Sequence, residues 1–177
     1  MTLHIYLKQA ISEELHNSTT WLVILFTILL PFVGSFIVKE RYRKPVRCIG
    51  LLAFSLYGIY AMTLLDRMDS GASKLNFDLF WTWERALAGS ALHQYFIVGN
   101  VLLFVPFGVA VTAMFARDKR RWWKAMLIGM VTSVVIEGIQ YAGHLGLCEM
   151  DDVVHNTLGM MVGYGIVRVW GVVNRKE

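Results

Sequence analysis

Five apolar runs of about 20 residues each, separated by polar and basic clusters, dominate this sequence. They cover residues 19–38, 46–65, 94–116, 122–143 and 153–173. Runs of that length match the hydrocarbon thickness of a bilayer, which a helix of about 20 residues spans. In lipid the backbone must satisfy its own hydrogen bonds, so such runs fold as helices. The expected fold class is therefore all-α: a polytopic membrane bundle of about five helices, forming one domain over residues 1–177. Composition agrees, with 56% hydrophobic and 17% charged residues, against about 25% charged in soluble domains. The fifth run contains Arg168, whose guanidinium can reach the nearer interface, and beside it Trp170 suits headgroup level. Residues 1–18 carry Lys8, Glu13 and Glu14 and lack the order of a cleaved signal peptide, so none is expected.

The basic residues set the orientation. Lys39, Arg41, Arg43, Lys44 and Arg47 lie between the first two runs, and Arg117, Lys119, Arg120, Arg121 and Lys124 between the third and fourth. Arg168, Arg175 and Lys176 end the chain, while residues 145–152 are acidic. The net charge of +4 thus belongs to cytoplasmic loops and not to a nucleic-acid partner. The pattern predicts an N-terminus outside and a C-terminus in the cytoplasm. Cys48 and Cys148 fall on opposite sides and should not pair. Residues 66–93 hold Phe77, Phe80, Trp81 and Trp83. They read as an outer interfacial segment with an aromatic belt or, alternatively, as a lid over a site.

Polar residues recur on helical faces. Glu137, Gln140, Tyr141 and His144 follow i, i+3, i+4, i+7 on the fourth helix. Asp152, His155, Asn156, Gly159 and Gly163 continue one face of the fifth. At 1.5 Å per residue, Glu137 and Asn100 lie about 9 Å below the outer surface and Asn156 about 6 Å. Three helices thus bring polar groups to one level, where lipid makes unpaired polar side chains costly. Each also has a structural reading. Asp151 or Asp152 can cap the fifth helix, Asn100 can bond a neighbouring helix, and His144 and His155 can be interfacial. Glu137, an intramembrane acid, is the strongest functional candidate. Gly159 and Gly163 form a small-residue packing pair, and Pro106 should kink the third helix. No standard catalytic or metal-binding motif is present, and no cofactor or metal is expected.

Asn100, Phe104, Pro106 and Gly108 reproduce the N-x-x-x-F-x-P-x-G signature of VanZ-like membrane proteins. Glu137 and Gln140 resemble that family's E-x-x-Q, and Asp151, Asp152, Asn156, Thr157 and Gly159 its D-D-x-x-x-N-T-x-G block. The run from Asn76 to Phe80 echoes the family's N-L-x-P-F segment without the proline. The signature core spans residues 76–165. Many members carry an arginine shortly after the glutamine; residues 144–149 have none, so the resemblance does not extend to an arginine-paired anion site. The resemblance implies a multi-pass protein of the bacterial plasma membrane. It also implies a link to glycopeptide resistance, since the founding member is tied to low-level resistance to teicoplanin.

Three functions follow as expectations. The leading one is a non-transporting protein with an outward polar pocket of Asn100, Glu137, Gln140, Asp151, Asp152 and Asn156. It would bind a cell-envelope ligand: a lipid headgroup, a lipid-linked precursor or the glycopeptide. The second is an enzyme on a lipid-linked substrate, with Glu137 and Asp152 as paired catalytic carboxylates and, as a variant, a metal at Asp151, Asp152 and His155. The third is a structural or partner-binding protein whose polar groups hold helices together. Membrane lipids are the expected partners; no protein partner is indicated.

Overall fold

A computed structural model of the chain describes residues 29–64, 72–114 and 121–173. Among them the chain is mostly helical. The helices are α1 (Leu30–Ile37), α2 (Glu40–Thr63), α3 (Trp81–Leu87), α4 (Ala91–Met114), α5 (Arg121–Ala142) and α6 (Met150–Val173). Three are long and apolar enough to cross a membrane: α2, α4 and, from Trp122, α5. At 24 residues α6 is about 36 Å long, also sufficient. Its apolarity is diluted by Asp151, Asp152, His155, Asn156 and Arg168. The first expected span is only partly described: residues 19–28 lie outside the described residues, and the rest forms α1. The basic residues before the second run extend α2 rather than bounding it, because Arg and Lys are good helix formers whatever their hydropathy.

The departure from a helix-only fold is a two-stranded ribbon. Strand β1 (Ala72–Asn76) pairs in parallel with β2 (Leu145–Glu149), in a register from Ala72 opposite Leu145 to Asn76 opposite Glu149. Parallel strands need a crossover, here supplied by α3, α4 and α5. The ribbon joins the segment after α2 to the one between α5 and α6. Gln140, near the end of α5, donates its Nε2 proton to the Thr63 carbonyl at the end of α2, 2.8 Å away. These two ties put the C-terminal ends of α2 and α5 and the N-terminal ends of α4 and α6 at one end of the bundle.

Inside, α6 packs chiefly on α4. A Cβ on Gly159 would fall on the Val101 carbonyl oxygen, and one on Gly163 on that of Val105. The expected Gly159 and Gly163 packing pair is thus realised, with α4 as the neighbour. From the other side, Gly108 leaves room for the Met160 backbone and Gly129 of α5 for the Met160 side chain. Met160 is fully buried where α4, α5 and α6 meet, within a core of Ile59, Phe104, Phe107, Val111, Ala125 and Ile136. Pro106 lies inside α4, which continues to Met114. Leu56, Leu102, Leu127, Val131, Val134 and Val135 remain outward and exposed. Such a surface is anomalous in water and ordinary against lipid.

Candidate functional site

The first two turns of α6 radiate polar side chains toward three helices, because i and i+4 share a face while neighbours diverge. Asp151 and His155 form one row and point to α3. Asp152 and Asn156 form the next and meet α4 and α5.

Asp151 is fully buried. Its carboxylate accepts the backbone N–H of Phe80 at 2.5 Å and of Thr82 at 2.9 Å. Asp151, one of the two residues expected to cap α6, secures the start of α3. Phe80, the residue before that helix, has a left-handed φ of 68°. That conformation costs a bulky residue about 1–2 kcal/mol. Two hydrogen bonds to a buried carboxylate, each worth about 1.5–3 kcal/mol, outweigh it. At the other end of α3, Gln94 Nε2 donates to the Ala86 carbonyl at 3.0 Å. The segment with the aromatic residues therefore lies across the start of α6, with Trp83 against the His155 ring at 5.7 Å and Trp81 against His93 at 5.2 Å. Phe77, Leu79 and Phe80 point outward.

Asp152 Oδ1 accepts the Asn100 Nδ2 proton at 2.6 Å and lies 3.7 Å from His155 Nδ1. Asn156 Nδ2 donates to Ser133 of α5 at 2.8 Å. Glu137 Oε2 accepts the backbone N–H of Glu149 at 2.8 Å, tying α5 to the ribbon. The Cys148 thiol bonds Glu137, and its pKa is pushed up to about 11 by burial first, then by the charges of Glu137, Asp152 and Glu149.

The six expected site residues thus share one end of the bundle but divide into separate contacts. Asn100 and Asp152 meet directly, Asp151 turns to α3, Asn156 to Ser133, Gln140 to α2, and Glu137 to β2. On α5 the expected face splits: Glu137 and Gln140 are buried, whereas Tyr141 and His144 are exposed, since the helix ends at Ala142 and His144 sits in the following turn at φ 56°. On α6 the expected face is buried from Asp152 through Gly163. Among the described residues no three His, Cys, Asp or Glu side chains are grouped to hold a metal, and Asp151 faces away from Asp152.

Buried polar atoms at this end without a hydrogen-bond partner include both ring nitrogens of His155, Asn156 Oδ1 and Gln140 Oε1. Trp83 Nε1, beside His155, and Trp81 Nε1 are two more. His155 is fully buried, and an imidazole so placed costs about 1–3 kcal/mol. Ser133 was not anticipated, and Trp83 was marked only as part of an aromatic belt or lid. Ser133 was findable, because it lies four residues before Glu137 on the same face. The contact of Trp83 with His155 was not, because it joins residues far apart in the chain.

A family model described as VanZ/LLP1 matches residues 22–171, most of the chain. No curated protein and no solved structure matches significantly.

Proposed function

The chain belongs to the VanZ/LLP1 family of membrane proteins, and from that premise we propose that it spans the bacterial plasma membrane five times. The N-terminus lies outside and the C-terminus in the cytoplasm. The pairing of β1 with β2 and the bond from Gln140 to Thr63 support this topology, because they put both poorly basic loops on one side. That outer end binds a cell-envelope ligand: a lipid headgroup, a lipid-linked precursor or a glycopeptide. Through it the protein contributes to glycopeptide resistance.

The observation that carries the reading is His155. Its neighbours Asp151, Asp152 and Asn156 each hold another element, and both its ring nitrogens are buried without a hydrogen bond, Asp152 Oδ1 lying 3.7 Å from Nδ1. Buried polar groups are normally satisfied, and a polar ligand supplies what the chain does not. Expressed in a susceptible host, the wild-type chain should raise the inhibitory concentration of teicoplanin. Glu137→Gln and Asp152→Asn, at equal membrane levels, should return it to the vector value; variants as protective as wild type would sink the binding reading.

The second reading is structural, and it too has a specific observation behind it. Asp151, Asp152, Asn156, Gln140 and Glu137 each bond a different element. On that reading substitutions lower stability and leave susceptibility unchanged.

A further inference from the structure

α3 sits between two positive-φ corners, Phe80 at 68° and Gly89 at 93°. Its inner side is closed against the body: Thr82 and Ala86 are buried, and Trp83 lies on His155. Its approach exposes Phe77, Leu79 and Phe80, and its outer side exposes Leu87 beside the charged Glu84 and Arg85. The segment runs directly into α4, whose first turns expose Leu92 and Phe96. The exposed apolar residues that flank α3 are therefore continuous with a helix face that meets lipid. Lys74 and Arg85 are exposed on the same segment, together with Asp78 and Glu84; at headgroup level the ammonium and guanidinium groups meet phosphates and the carboxylates stay in water. Such a surface belongs in the interfacial layer of the outer leaflet. What holds it shut is local: the Asp151 carboxylate at one end and Gln94 at the other.

We propose that α3 is a membrane-seated lid, latched by Asp151, that opens His155 to an amphiphile of the outer leaflet and not to a solute in water. This deepens the binding reading of His155 and rests on it. The headgroup reaches His155 and the Trp83 indole N–H while the tails stay along the exposed side of α3. A neutral imidazole offers one donor and one acceptor, and the indole one donor. A headgroup carrying hydroxyl or amide groups, which both donate and accept, satisfies all three.

The test is thiol accessibility in proteoliposomes of phosphatidylethanolamine and phosphatidylglycerol. The reporter is Ala86→Cys, on the buried side of α3, with Cys48→Ser and Cys148→Ser removing the native thiols. An apolar maleimide and a membrane-impermeant sulfonated thiosulfonate are compared. With Asp151 intact both should react slowly. Asp151→Asn should speed the apolar reagent about tenfold, as the open population grows with loss of the latch, and change the sulfonated one little. A thiol at Ala110→Cys, deep in α4, should stay protected throughout. No acceleration at residue 86 overturns the latch. Equal acceleration by the sulfonated reagent overturns access from the bilayer. Acceleration at residue 110 as well overturns the lid, because Asp151 then supports the whole bundle. The binding reading fails separately: it falls if His155→Phe leaves teicoplanin susceptibility at the wild-type level, whatever the labelling rates.

Discussion

The outer and middle parts of α6 are held to the bundle in opposite ways. At the outer end Asp151, Asp152 and Asn156 reach α3, α4 and α5 by directed hydrogen bonds. One to two turns further in, Gly159 and Gly163 let the backbone of α6 rest on that of α4, with Met160 filling the space between them. The middle is closed by backbone contact, with no room to add an atom at Gly159 or Gly163. The outer end has partners for most polar groups but leaves both His155 nitrogens, Asn156 Oδ1, Gln140 Oε1 and two indole N–H groups without a hydrogen bond. In lipid, apolar contact brings little gain from water release, so close backbone packing must supply the adhesion. The polar end can then carry groups that stability alone does not require.

The contrast can be broken most severely in the middle. Gly159→Ala places its Cβ on the Val101 carbonyl and 2.9 Å from Phe104 Cβ. It should cost about 3 kcal/mol, as overpacked cores do, read as a lower melting temperature in detergent. Gly99→Ala meets nothing within 4 Å and should be neutral or slightly stabilising, by up to about 1 kcal/mol. Equal effects at the two glycines would remove the packing half of the contrast.

At the outer end the effect should be smaller. Asp151→Ala leaves the Phe80 and Thr82 N–H groups without their acceptor, and about 2 kcal/mol of stability should go. The loss should concentrate in α3, read as faster amide exchange there than in α4. Uniform exchange would make Asp151 an ordinary core residue.

The gentlest probe changes reactivity more than stability. With its pKa near 11 instead of 9.0, Cys148 holds about a hundredfold less thiolate at pH 8 than an unperturbed thiol. Alkylation should therefore be slow at pH 8 and climb as the pH approaches 11. Burial is the larger cause, so Glu137→Gln should lower the pKa only partway and speed the reaction at pH 8 several-fold. A rate that is the same with Gln at position 137 would show that the thiol does not feel Glu137.

The sequence disclosed the middle of the molecule better than its end. Apolar length marks α2, α4 and α5, and the spacing of Gly159 and Gly163 anticipates close packing, because both signals are local. Rise per residue also puts Asn100, Glu137 and Asn156 near one level, and Asn100 does meet α6 there, at Asp152. Which partner each side chain takes was not legible. Asp151 meets Phe80 and Thr82 about seventy residues away, Gln140 meets Thr63 at a similar separation, and the ribbon pairs Asn76 with Glu149. None of these follows from periodicity. β1 and β2 lack the alternating pattern that would announce strands, and only their mutual pairing gives them their form.

The most direct measurement is His155→Phe, read for melting temperature in detergent and for teicoplanin susceptibility in the same host. Removing two nitrogens that make no hydrogen bond while keeping a ring against Trp83 should leave stability equal or higher, since apolar replacement of an unsatisfied polar group is often neutral or favourable. Protection against the drug should disappear. A clear drop in melting temperature with protection intact would contradict this, and would make His155 part of the structural fabric of the outer end.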